Sequence, residues 1–205
     1  MFRSRARPVV FPQAEHARLA GAIALEWAER PDVPWDSFVA GVALHDRGYG
    51  ELDADDLESV ADERWLDIQR RGLEPRGADP VTDLVVGLHI RRLVSHGGDT
   101  REFDPLLCRL RAAAGLDADT AAAADRITAT CDRIAFDFCL EEPSSGESNG
   151  IAYALDGRGS IVLDPWPLAV PLLSGLVLAF EADGYPERLA PVVVPYSVAS
   201  HYAAA

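Results

Sequence analysis

The feature that most constrains this fold is a set of histidines and aspartates on the inward-turned faces of apolar helical segments. His16 belongs to the stripe His16, Leu19, Ala20, Ile23, Ala24 and Trp27, whose spacing of three and four buries one helix face. His45 follows Phe38 and Val42 along a second stripe, with Asp46 beside it. His89 stands four residues after Val85 in a third, with Val81, Leu84 and Leu88. Asp132 adjoins a fourth, made of Ile127, Cys131, Ile134 and Phe138. A lone histidine of this kind reads as a packed core residue. The order H, HD, H, D over four segments reads as donors that helix packing brings together.

The segments have recognisable ends. Pro12 opens the first helix, and Gly48 and Gly50 stop the second, which runs from about Pro34 to Asp46. Asp79-Pro80 and Asp104-Pro105 are each a cap followed by a first-turn proline. Gly97-Gly98 ends the third helix, Gly115 a shorter one, and a long helix spans about Ala118 to Leu140. Residues 51–80 predict a long polar loop with a short helix from Glu63 to Arg70, suited to a lid. Residues 141–150 have a linker's composition. Beyond them Ile151–Leu155 and Ser160–Leu163 predict a β-hairpin, and Leu172–Phe180 and Pro191–Val198 two further strands. The expected fold is mainly α: a helical bundle over 1–140, with a small β element over 150–205 packed on it.

Composition narrows the function classes. With 205 residues and 48% hydrophobic content, the chain buries one good core. No apolar run reaches the ~18 residues a membrane span needs, and Pro8 and Pro12 interrupt any signal-like core after Arg3, Arg5 and Arg7. Cys108, Cys131 and Cys139 lack CxxC spacing and read as buried thiols. These features predict a cytoplasmic chain. The net charge is −14, and all 19 basic residues are arginine. That field repels phosphate backbones and anionic lipid, so neither nucleic acid nor membrane is an expected partner. A small anionic substrate remains compatible where arginines reverse the field, and a homodimer stays open.

Imidazole nitrogens and carboxylate oxygens suit a hard or borderline divalent ion that keeps a position open for water or substrate. His16, His45-Asp46 and Asp132 resemble the four defining ligands of the HD-domain superfamily of helical metal-dependent phosphohydrolases. Here 29 residues separate His16 from His45, and 86 separate Asp46 from Asp132. The wording HDRGY, Leu88-His89 and Cys131-Asp132-Arg133-Ile134 is similar to a branch of that superfamily of unknown function. The resemblance covers about residues 11–140.

It implies an HD-like bundle holding one or two divalent ions per chain, of Mn, Fe, Zn, Co or Mg. It further implies that metal-activated water attacks a small phosphorylated molecule such as a nucleotide. Asp46 and His89 would then be catalytic, with His89 also serving a second metal, joined by His96 on the same face. The vicinal histidine pair of cyclic-dinucleotide phosphodiesterases is missing. An oxygen-activating di-iron enzyme and a non-catalytic binding module of the same fold are the alternatives. Arg47, Arg92 and Arg133 lie near proposed ligands and suit phosphate, although solvation or pairing with surplus acids is the simpler account of any single one of them. Asp53, Asp55 and Asp56 lack the glycine and glutamate of a calcium loop and read as a solvated acidic loop. No phosphate-binding glycine loop is present.

Overall fold

A computed structural model describes residues 1–57, 59–74, 79–96, 99–140 and 144–201. Two short strands come first, β1 (Phe2–Arg3) and β2 (Val9–Phe11). Six helices follow: α1 (Gln13–Leu25), α2 (Trp35–Ala43), α3 (Asp62–Leu73), α4 (Pro80–Ser95), α5 (Asp104–Ala114) and α6 (Ala118–Leu140). The chain then forms β3 (Ser144–Ser148), β4 (Ile151–Leu155), β5 (Ser160–Asp164), β6 (Leu172–Glu181) and β7 (Pro191–Ser200).

The strands join in one mixed sheet ordered β1-β2-β6-β7-β5-β4-β3, in which β5 and β7 run parallel and the other pairs antiparallel. This corrects the expectation of a mainly α, let alone all-α, bundle with a small C-terminal β element. The four C-terminal strands fall where their apolar runs predict. What enlarges the sheet is its recruitment of both N-terminal strands on one side and of β3 on the other. β3 occupies residues 144–148, inside the stretch read as linker; residues 141–143 of that stretch lie outside the described residues, as does the Gly97-Gly98 stop.

The helices develop as their stripes require. α4 is capped by Asp79, whose carboxylate accepts hydrogen bonds from the Val81 and Thr82 amides at 3.0 and 3.4 Å. Gly115 ends α5 at φ +69°, a conformation that favours glycine. The main core lies between α1, α2, α6 and the inner sheet face. There Ile23, Phe38, Cys131, Ile134 and Phe138 meet Tyr153, Ile161, Val177 and Val198, all at most 3% exposed. Each large apolar side chain buried in this way is worth about 1.5–3 kcal/mol. A second cluster packs Leu84, Val86 and Ile90 of α4 against Leu107 and Leu110 of α5. α4 is thus held from two sides, which fixes the helix carrying His89. Cys131 and Cys139 are buried, whereas Cys108 is exposed, contrary to its apolar surroundings in sequence. No described helix is long and apolar enough to cross a membrane.

Candidate metal centre

α2 ends at Ala43, short of the predicted Asp46, and residues 44–48 form a turn. That early stop has a chemical consequence. Neighbouring side chains diverge by roughly 100° on a continuous helix, but off the helix His45 and Asp46 reach the same centre. Gly48 permits the turn to pass under α3, since a Cβ there would stand 2.2 Å from the Ile68 carbonyl oxygen.

Five predicted donors converge. His16 Nδ1 lies 3.2 Å from Asp46 Oδ2, and its Nε2 lies 3.1 Å from Asp132 Oδ1. His45 Nε2 is 3.4 Å from Asp132 Oδ1 and 3.6 Å from Asp46 Oδ2. His89 Nε2 is 3.3 Å from Asp46 Oδ1, and its Nδ1 is 3.4 Å from Asp132 Oδ2. All three imidazoles and Asp46 are buried. Two sets have the closeness that holding an ion requires: His16, His45 and Asp46, and His45, His89 and Asp132.

His45 shows best why this cluster suits a cation. Its Nδ1 sits 2.7 Å from the Val42 carbonyl oxygen, which can only accept, so Nδ1 carries the proton. Burial lowers its proton affinity, and positive charge at His89 lowers it further. The ring is therefore neutral, with a bare Nε2 that finds no hydrogen-bond partner among the described residues. A nitrogen lone pair facing two carboxylates at 3.4 and 3.6 Å is repulsive until a cation lies between them.

The remaining charges compensate one another. Burial alone would raise the Asp46 and Asp132 carboxyls, but the surrounding histidines outweigh it and hold both below the usual carboxylate range. For His16 burial acts to lower proton affinity, yet hydrogen bonds to Asp132 and Asp46 push it up to about 10. His89 is raised likewise by Asp132 and Asp46 against the effect of burial. Arg92 Nη2 lies 3.0 Å from His89 Nδ1.

His16 thus fills part of the centre with its own positive charge, which gives a measurable consequence. A folded-state value of about 10 lies above the ordinary 6.5, so at pH 8 His16 is protonated and must lose a proton to become a ligand. Metal binding at pH 8 is expected to release about one proton from His16, seen by calorimetry in buffers of different ionisation enthalpy. The apparent Kd should fall about tenfold per pH unit from 7 to 9 and level off above about 10. Binding with no proton release and no pH dependence would remove His16 from the ligand set.

A cavity of about 510 Å³ opens onto the cluster. His16, Asp46, His89 and Asp132 form its floor, and Phe2, Leu57, Trp65, Phe136 and Tyr153 its apolar walls. Leu57 and Trp65 come from the segment read as a lid; residues 58 and 75–78 of it lie outside the described residues. Arg92 and Arg133 line the cavity with the exposed His96. Arg92 is tied to Asp125 and, at 3.4 Å, to Asp132. Arg133 donates to the Tyr153 hydroxyl at 3.0 Å and lies 3.3 Å from Asp137.

Arg47 does not line this cavity. It is buried against Asp83 at 2.6 Å and donates to the Gly72 and Glu74 carbonyls, fastening α3 to α4. Asp53 is buried too, rather than solvated: it accepts from the Gln13 amide at 3.1 Å and from the Met1 ammonium. Gln13 was not singled out by sequence reasoning as a site residue. It is 1% exposed and lines the cavity, and its Oε1 is without a partner among the described residues. Its position three residues before His16, on the same helix face, is the signal that could have found it.

Neither a curated protein nor a solved structure matches the chain. Residues 3–174 match the family described as "Protein of unknown function (DUF3891)", and the chain belongs to that family.

Proposed function

We propose that the chain is a metal-dependent phosphohydrolase of the HD type, acting on a small phosphorylated molecule such as a nucleotide. The observation that carries this reading is the bare, buried His45 Nε2 aimed at the carboxylates of Asp46 and Asp132. His16, His45, Asp46 and Asp132 would hold a divalent ion, and their mixed nitrogen and oxygen donors suit Mn, Fe, Zn or Co better than Mg. One ion is favoured over two, because both donor sets draw on the same His45 nitrogen. When bound, the ion supplies a nucleophile from water at neutral pH and neutralises charge growing on phosphoryl oxygens.

The chain's own residues do the rest. Arg92 and Arg133 bring fixed positive charge to a cavity in an otherwise acidic protein, where it can attract and orient a phosphate. His89, whose proton affinity Asp132 and Asp46 raise, lies on the cavity floor and can give a proton to a leaving oxygen. The apolar walls exclude bulk water and strengthen these charges. About 510 Å³ admits a small organic phosphate. This reading goes with a cytoplasmic setting and with neither nucleic acid nor membrane as partner, in keeping with a net charge of −14. An oxygen-activating di-iron centre would need two full donor sets, and the shared His45 nitrogen weighs against it.

The test is phosphate release from a panel of nucleoside monophosphates and sugar phosphates, after loading with Mn²⁺ or Co²⁺. Turnover on the order of 1 s⁻¹ or more is expected for at least one of them. Asp46→Asn should reduce it by roughly 10³-fold, about 4 kcal/mol of transition-state stabilisation. A metal-loaded chain that binds these phosphates and hydrolyses none would contradict hydrolysis and favour a binding module.

A further inference from the structure

β6 and β7 form the middle of the sheet, and the helices cover only one of its faces. Val177, Ala179, Val194 and Val198 turn towards the helices and are buried. The alternate residues turn away. Leu178 stands beside Val193, Leu176 beside Pro195, and Leu172 beside Ala199, which itself neighbours Val162 of β5. Leu176 keeps 70% of its surface exposed, Val193 58% and Leu172 56%. A sheet face left to water ordinarily alternates to polar residues. Between them the row Ser174, Ser197 and Ser160 is polar but uncharged, and although a quarter of the chain is charged, acids enter this face only where Asp164 and Glu147 flank Ala152 at the β4 rim.

We propose that this face is the interface of a symmetric dimer, its occupant a second copy of the same face. Leaving out the end where Met1 and Tyr185 cover Phe180, about eight residues each of β6 and β7 with the five-residue β4 and β5 give a footprint of about 410 Å² per copy, at ~3.3 Å per residue and ~4.8 Å between strands. Two copies bury about 820 Å², below the ~1,000 Å² from which stable specific interfaces begin, so a weak dimer with a Kd high in the micromolar range is expected. The charge distribution selects the partner. A chain of net charge −14 can meet its own copy only where acids are absent, and these rows are such a place. The same charge repels an anionic membrane. Sheets stack face to face about 10 Å apart, so the exposed rows of one copy can meet those of another. A two-fold axis through the face makes the contact self-complementary and closed.

Sedimentation equilibrium of the full chain up to about 100 µM tests this, at low and at high salt. Dimers are expected, with a Kd that falls as salt screens the repulsion between the acidic shells. Leu176→Asp and Val193→Asp should each give monomers with unchanged far-UV dichroism, while Leu25→Asp, on the exposed side of α1, should remain dimeric. Should an aspartate variant fail to fold, Leu176→Gln is the milder substitution and should weaken the dimer at least tenfold. A monomeric wild type at both salt levels, or dimers that persist in Leu176→Asp and Val193→Asp, would overturn the proposal. So would monomers that float with neutral phosphatidylcholine vesicles, which would assign the face to lipid.

Discussion

His45→Ala is expected to strip the chain of its metal while leaving the fold intact. Losing a residue that merely orients a ligand costs ~10–100-fold in metal affinity, and losing the ligand itself costs at least as much. His45 offers Nε2 alone, since its Nδ1 is committed to the Val42 carbonyl. Both donor sets lose their shared member at once. The fold should tolerate the change, because in the metal-free chain the Nε2 lone pair opposes two carboxylates rather than bonding to them. Thermal unfolding with and without Mn²⁺ reads the difference. At free metal about 100 times its Kd the wild type gains about 2.7 kcal/mol, roughly 5–11 °C in Tm for a chain of this size. His45→Ala should show no metal-dependent shift and near-wild-type stability without metal. A variant that unfolds, or one that keeps the full shift, would count against His45 as ligand.

Arg47→Met should cost stability. Its guanidinium joins the Asp83 carboxylate to the Gly72 and Glu74 carbonyls at 2.6–2.9 Å inside the protein, and a methionine leaves Asp83 buried without its cation. Removing one partner of a buried ion pair costs about 3–5 kcal/mol, or roughly 6–20 °C in Tm. Replacing both, as Arg47→Met with Asp83→Leu, should recover most of that loss, because no charge remains buried without a partner. Equal losses in the single and double variants would mean that the carbonyl contacts carry the effect. If Arg47→Met instead kept its Tm and weakened phosphate binding, Arg47 would return to the substrate side.

Much of the candidate centre is legible in the sequence because helix periodicity says which residues turn inward. His16, His89 and Asp132 lie on or beside apolar stripes, and those stripes pack together. Periodicity does not show that α2 stops at Ala43, and that stop lets His45 and Asp46 act together. Nor does closeness in sequence to a donor reveal direction. Arg47 and Arg133 each follow a proposed ligand by one residue, yet Arg47 turns to Asp83 and Arg133 to the cavity.

The sheet is far less legible. Val9–Phe11 is a fully buried three-residue run between Pro8 and Pro12, too short to alternate, and its pairing with Glu181 and Phe180 spans nearly the whole chain. β3, reading SSGES, has the polarity of a linker and is held by its register against β4. Long-range pairing of this kind leaves no local periodicity to read. The outer rows of β6 and β7 were visible as apolar runs, but only the register shows which residues share the uncovered face.

The metal content of the purified chain is the measurement to make first, by elemental analysis of wild-type protein as isolated and after loading with Mn²⁺, Fe²⁺, Zn²⁺ or Co²⁺. About one ion per chain is the expected result, four residues holding it and His45 shared between both donor sets. Two ions would assign His89 to a second site. No ion under any loading condition would contradict the metal centre, and with it the phosphohydrolase reading.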